Sequence, residues 1–217
     1  SSNSEEAFKK SVQEHHRSLS SSNDISSEKI ADPRADVYVG EDTTLDPNYG
    51  DKFESDDTDS FQDAVLHASY NTTSDRLEAR SWDIGGYGTF EAWSYIGREF
   101  EAHGSGTATI TTRPFLSATL GYSGGSGSLS LELNIWDYTD DEHWDDTIIS
   151  SSAVQNWSEE FVQSYDISLE DGHTYGVQLR LAVSTTVTGL LDSAHVDVTD
   201  NNSGDHYVDV GSFDVKF

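Results

Sequence analysis

Two-residue periodicity, closely spaced turn signals and the scarcity of helical periodicity predict an all-β chain, an antiparallel Greek-key β-sandwich preceded by an N-terminal helical and extended arm. Three stretches carry that prediction. Tyr175, Val177, Leu179, Leu181 and Val183 alternate with Gly176, Gln178, Arg180, Ala182 and Ser184, the pattern of a half-buried strand whose successive side chains point to opposite faces. Leu129, Leu131, Leu133 and Ile135 repeat it, and so do Leu116, Ala118, Leu120 and Tyr122. The last two runs are separated by a Gly/Ser turn, SGGSGS over 123–128. Burying one aliphatic side chain is worth about 1.5–3 kcal/mol, so two inward faces of this kind offset chain entropy without a disulfide.

The elements follow in order. Residues 4–19 place Phe8, Val12 and Leu19 near one side of a helix, with Ser4 as N-cap and acids in the first turn; so thin a stripe must pack on something or fray. The Ser-rich run SLSSSNDISS reads as a linker. From Glu28 to Asp59 the chain is acidic and interrupted by Pro33 and Pro47, and its one strand-like patch is Asp36–Gly40. By composition this stretch cannot build a core of its own. We therefore expect residues 1–60 to form an arm, lying along its own sandwich or on a neighbouring copy, and residues 61–217 to form the sandwich. FQDAVLHASY (61–70) fits either a short helix or a strand entry, and leans to helix with Asp59 or Ser60 as cap. Strands are expected at 76–82, 90–100, 107–112, 115–122, 129–135, 161–169, 175–187, 194–198 and within 206–217, with Pro114 marking a break. Trp136 interrupts the alternation at a bulge or strand end, and 137–158 reads as a long acidic loop.

Just before the longest strand, Leu169, Gly172 and Tyr175 make the spacing L-x-x-G-x-x-Y. This resembles the tyrosine corner of immunoglobulin-like and fibronectin-type sandwiches, and implies that the Tyr175 ring packs beneath the loop while its hydroxyl bonds back to the backbone. The strand count fits an Ig-like or jelly-roll sandwich. Such folds carry many unrelated activities, so function must be argued from sites.

Composition restricts the partners. In 217 residues there are 12 Lys and Arg against 40 Asp and Glu, a formal charge of −28. Nucleic acid is a poor partner for that surface, because its binding rests on phosphate neutralisation. At about 1 M salt the Debye length falls to roughly 3 Å and the self-repulsion is screened; the composition resembles that of extremely halophilic archaeal proteins. Cysteine is absent, so disulfides and thiolate metal sites are excluded. No apolar run is long enough to span a bilayer. The chain opens SSNSEE and has no methionine, as expected after leader cleavage or simple Met removal, and an extracellular, cell-surface location is the expectation. Asn71, Asn156 and Asn201 stand in N-x-[ST] glycan acceptor sequences.

For chemistry, Asp137, Asp140, Asp141 and Asp145 in DYTDDEHWDD offer oxygen ligands of the kind that suits Ca²⁺, although the loop lacks an EF-hand frame. No cofactor is otherwise implied. Gly121–Gly125 matches G-x-S-x-G formally, but that motif needs a strand, turn and helix and here stands between strands. The eight histidines lack zinc-enzyme spacing, and His15 and His16 are expected to face different ways. Trp144 and Trp157, placed in a polar loop, are the candidate sugar contacts; Trp93, on an alternating strand, reads as core. No catalytic constellation emerges, and a non-enzymatic protein is expected.

Three functions remain. The first is a self-associating filament or surface subunit whose arm adds a strand to a neighbouring sandwich, anchored by Val37, Tyr38 and Val39, then by Phe8 and Val12. Its layout resembles archaeal pilus and thread filaments built by donor-strand complementation. The second is a carbohydrate-binding or adhesion module recognising surface glycans. The third is a capsid or spike jelly roll of a halophilic virus.

Overall fold

The computed structural model describes residues 2–22, 34–59, 63–201 and 204–217. In chain order the elements are α1 (Ser2–Ser22), β1 (Ala35–Tyr38), β2 (Thr43–Leu45), β3 (Tyr49–Asp59), β4 (Asp63–Asn71), β5 (Arg76–Ile84), β6 (Tyr87–His103), β7 (Gly106–Thr112), β8 (Phe115–Ser123), β9 (Ser126–Asp137), β10 (Glu142–Ser151), β11 (Gln155–Glu160), β12 (Gln163–Leu169), β13 (Thr174–Val187), β14 (Ser193–Val198), β15 (Asp200–Asn201), β16 (Gly204–Asp205), β17 (Tyr207–Asp209) and β18 (Phe213–Lys216). Among the described residues no helix is long and apolar enough to cross a membrane.

The chain is a β-sandwich with one N-terminal helix. One layer is the sheet β1-β6-β13-β9-β10, with β3 also on the outer edge of β6. Facing it are the sheet β11-β8-β14-β5-β17, extended by β4, and the shorter sheet β12-β7-β18-β2. The two most regular strands of the sequence lie side by side: Val177, Leu179, Leu181 and Val183 of β13 pair with Ile135, Leu133, Leu131 and Leu129 of β9. All eight side chains are buried in one core with Leu77, Ile110, Leu116, Leu120, Phe213 and Val215 from the opposite layer. Trp136 does not break this pattern. The register runs unbroken through it to Asp137, and Trp136 simply points to the other face; the irregularity lies between Thr147 and Ile149.

The corner at 169–175 forms as its spacing implies. Gly172 takes a left-handed φ of 77°, which a glycine adopts without steric cost. Tyr175 is buried against Phe100, ring centroids 5.4 Å apart, and its hydroxyl accepts the Glu170 amide N–H at 3.0 Å. Burial pushes that phenol up to about 12.

Several expectations are corrected. Residues 63–71 are a strand paired with β5, not a helix, while 60–62 lie outside the described residues. The acidic excursion 137–158 contains β10 and β11. Edge strands need only main-chain partners on one side, so charged side chains facing solvent do not prevent pairing. The same holds for β3, whose Tyr49–Asp59 run pairs along β6 in spite of its acids. Residues 35–59 therefore belong to the sheets, and the boundary expected at residue 60 divides a continuous sandwich. β1 pairs with β6 in parallel, Ala35 opposite Phe100 and Tyr38 opposite His103, a departure from an all-antiparallel arrangement. The first half of the expected Ser-rich linker, residues 18–22, is the last stretch of α1, and its second half, 23–27, lies outside the described residues.

α1 lies across the outer face of the first sheet. Phe8 and Val12, one turn apart, are fully buried against Tyr49, Trp93, Tyr95 and Trp136. Phe8 meets Trp93 and Tyr95 edge-on at 5.8 and 5.3 Å, the geometry aromatic pairs prefer. His15 and His16 straddle that contact face: His15 stacks on Tyr49 at 3.8 Å and His16 on Tyr138 at 4.0 Å. Of the expected intermolecular anchors, Phe8, Val12 and Val37 are thus buried within their own chain. Tyr38 is exposed and Val39 half-buried.

Candidate functional site

Three of the residues expected to carry chemistry, Asp137, Asp140 and Trp144, converge where the edges of two sheets meet. β10, at the edge of the first sheet, and β12, at the edge of the third, flank a cleft of about 240 Å³. Asp137, Asp140 and Glu142 come from the β9–β10 hairpin, Trp144 from β10, Tyr165 and Asp166 from β12, and Glu170 from the corner. Trp144 is half-buried and packs on the main core, so one edge of the indole is immobilised while another borders the cleft. Tyr165 stands in the same environment on the facing strand.

Main-chain register builds the acidic end. Tyr175 of β13 lies opposite Asp137 of β9, which brings the loop before β13 beside the hairpin after β9. Asp137 is nearly buried, and Oδ1 accepts the Thr139 and Asp140 amides at 2.9 and 3.2 Å. This Asx turn closes the hairpin, with Asp141 in the left-handed region at φ 57°. Asp137 Oδ2 meets His173 Nδ1 at 2.9 Å, and His173 Nε2 lies 3.6 Å from Glu170. The hydrogen bond to Asp137 raises the His173 pKa above its ordinary value. Thr139 Oγ1 accepts the Thr174 amide at 3.0 Å, a further tie between hairpin and corner.

Asp137, Asp140 and His173 each offer a ligand atom within 4.8 Å of the other two. Two of the four aspartates expected as ligands are therefore together. Asp141 and Asp145 are not in that group: Asp141 is exposed on the hairpin, and Asp145 lies on β10 opposite Asn134. The donor set also differs from the expected one. Calcium prefers six to eight oxygens, whereas one imidazole with two carboxylates is a set that borderline ions such as zinc accept. His173 carried no spacing signal in the sequence. Its approach to Asp137 spans 36 residues and comes from strand pairing alone.

Trp157, expected to contact sugar, is corrected to core: it is 3% exposed and sits opposite Ala118 on β8, where the small partner leaves room for the indole. Of the glycan acceptors, Asn71 and Asn156 are exposed. Asn71 ends β4, and its Oδ1 accepts the Thr73 and Ser74 amides at 2.9 and 3.2 Å. The side chain of Asn201 lies outside the described residues. Trp93, expected as core, is buried, but under α1 rather than between the sheets.

No protein-family model and no curated protein matches this chain. Among solved structures, a family 35 carbohydrate-binding module from Clostridium thermocellum aligns over 81% of this chain and 98% of its own, with 10% identity and a TM-score of 0.28. A carbohydrate-binding module of Cellvibrio mixtus lichenase 5A, in complex with cellotriose, aligns over 73% and 90%, with 10% identity and a TM-score of 0.21. The TNF protein Eiger from S. frugiperda aligns over 72% and 90%, with 7% identity and a TM-score of 0.27. Superpositions this loose carry no argument about ligand; the sandwich assignment rests on the sheets described above.

Proposed function

We propose that this chain is a non-enzymatic carbohydrate-binding module of an exported, surface-associated protein, and that it holds its sugar in the cleft between β10 and β12. The observation that carries this reading is the pairing of Trp144 and Tyr165 across a cleft rimmed by Asp137, Asp140, Asp166 and Glu170. A sugar ring offers an apolar C–H face to an aromatic wall and donates its hydroxyl protons to carboxylate oxygens, and a concave site with few convergent polar groups suits it. Trp144 presents its ring without losing side-chain freedom on binding, because the core already holds it. The exposed Asn71 and Asn156 are consistent with export, and the charge of −28 with a medium of high ionic strength.

Self-assembly by strand addition is the less supported alternative, since its principal anchor, Val37, is paired and buried within the chain. The group of Asp137, Asp140 and His173 belongs to the same cleft, so a divalent cation held there would stand beside the sugar and bridge its hydroxyls.

Affinity electrophoresis and calorimetry against a panel of soluble polysaccharides, run with chelator, with Ca²⁺ and with Zn²⁺, test the reading. Binding by the native chain is expected to fall at least tenfold in Trp144→Ala. Silence across the panel in all three conditions, or binding indifferent to Trp144→Ala, would contradict it.

A further inference from the structure

Under α1 the outer face of the first sheet carries six aromatic side chains: Tyr49 and Phe53 from β3, Trp93 and Tyr95 from β6, and Trp136 and Tyr138 at the end of β9. Phe53 and Trp93 lie nearly parallel, 5.4 Å apart. Between the rings the polar chemistry is incomplete. Trp93 Nε1, Trp136 Nε1, Gln178 Oε1, Glu99 Oε1 and Arg180 Nε are all buried there without a hydrogen-bond partner among the described residues. Buried polar atoms are nearly always paired, and each orphan carries its desolvation cost uncompensated. α1 covers the rings with Phe8 and Val12 but leaves these five atoms unserved.

The floor is built flat. Gly97 lies opposite Gln178, and Gly176 opposite Trp136. A Cβ at Gly176 would lie 2.5 Å from the Tyr138 hydroxyl, and one at Gly97 2.7 Å from Gln178 Cγ. Both glycines therefore let Gln178 spread across the sheet, where its Nε2 donates to the hydroxyls of Tyr49 and Tyr138. Beyond the start of α1 the same face continues as an open groove of about 530 Å³, floored by Arg180, Ala182, Ser128, Ser130 and Glu132. The covered platform and the open groove are one surface.

Flat rings interleaved with three N–H donors and two lone acceptors are complementary to a neutral sugar chain, whose rings are apolar on their faces and polar at their edges. The charge on the face selects against anions: Glu5, Asp51, Glu99 and Glu132 line it, Glu5 and Glu132 already engage Arg180, and Glu99 engages Arg34 and His16. We propose that α1 is an intramolecular cover over a second binding face for neutral glycans, and that its displacement presents Trp93, Trp136, Gln178 and Glu99 to the ligand. This face is separate from the cleft at Trp144.

The full chain with Phe8→Ser and Val12→Ser removes both apolar anchors of α1 and leaves the inter-sheet core untouched. Affinity electrophoresis against a soluble β-glucan, a galactan and a mannan is expected to show at least a tenfold gain over the native chain for one of them. Adding Trp93→Ala or Trp136→Ala to that variant abolishes the gain, whereas adding Trp144→Ala leaves it unchanged. Should the double-serine chain fail to fold, Glu5→Gln with Ser11→Ala removes only polar ties of α1, to Arg180, Asp51 and Tyr95, and a smaller gain is expected from it. A folded, opened variant with no gain for any of the three, or a gain that survives Trp93→Ala, overturns the proposal.

Discussion

The molecule has two hydrophobic interfaces on opposite sides of one sheet, and they are built differently. Between the layers, more than a dozen strands contribute aliphatic side chains to a continuous core, and their main-chain groups are paired along the strands. On the other side, α1 contributes two fully buried apolar side chains, Phe8 and Val12, and traps orphaned indole, amide, carboxylate and guanidinium atoms beneath it. Apolar burial favours both interfaces and both carry a desolvation cost, set between the layers by Asp83 and Thr112, but only the first offsets it with a core to which most strands contribute. The contrast teaches that the sandwich is the platform and α1 an addition whose attachment is weaker than the burial of its anchors suggests.

The largest effect that sharpens this contrast comes from truncating equal side chains on the two sides. Phe100→Ala, in the inter-sheet core, is expected to lower global stability by about 3–5 kcal/mol in denaturant titration. Phe8→Ala is expected to lower it by only about 1 kcal/mol or less, because α1 detaches locally and the sandwich survives. Equal losses would mean that α1 and the sandwich unfold as one.

Asp83 carries the charged part of that cost on the inter-sheet side. Its carboxylate is fully buried, neither oxygen has a well-formed hydrogen bond among the described residues, and burial raises its pKa with only partial relief from the Ile84 backbone. A carboxyl whose folded pKa is raised favours the folded state at pH values below the unfolded pKa near 3.8, and that contribution is lost as pH rises through the folded value. Asp83→Asn removes the dependence. Thermal melts should show the variant more stable than the native chain by about 1–3 kcal/mol at pH 7, and indistinguishable from it near pH 3. A variant less stable at pH 7 would show that the ionised carboxylate is accommodated.

A smaller effect belongs to the corner. Tyr175→Phe keeps the ring against Phe100 and deletes the bond from the Glu170 amide, at an expected cost of about 0.5–1.5 kcal/mol. Because this corner carries Glu170 and His173 to the cleft, the same variant should weaken any ligand held there without abolishing binding; unchanged stability would remove the corner from the account.

Much of the fold was legible because β13, β9 and β8 each turn a row of apolar side chains at every second position into the inter-sheet core, and period two survives in any strand that does so. The corner was legible because its spacing is local. What escaped was set by partners distant in the chain. β10, β11 and β3 are edge or peripheral strands, held by main-chain bonds to β9, β8 and β6, so their acidic side chains gave no periodic signal. Trp157 read as a loop residue because it is the one buried side chain of β11, a pattern too short for periodicity to detect. In the site, Asp137, Asp140 and Trp144 were legible as residue types in one segment. His173 and Tyr165 were not, since only strand register and sheet-edge packing bring them there. α1 was legible as a helix with a thin stripe, but not the ring-lined face that receives it, which β3, β6 and β9 assemble together.

Native-state hydrogen exchange on the full chain tests the central contrast most directly. The amides in the middle of β13 should exchange only through global unfolding. Those of α1 should exchange through a separate local opening, at least 100-fold more often and with little dependence on denaturant. Protection in α1 equal to that of β13, with the same denaturant dependence, would contradict the account: the helix would then be an integral part of the sandwich and not a removable cover.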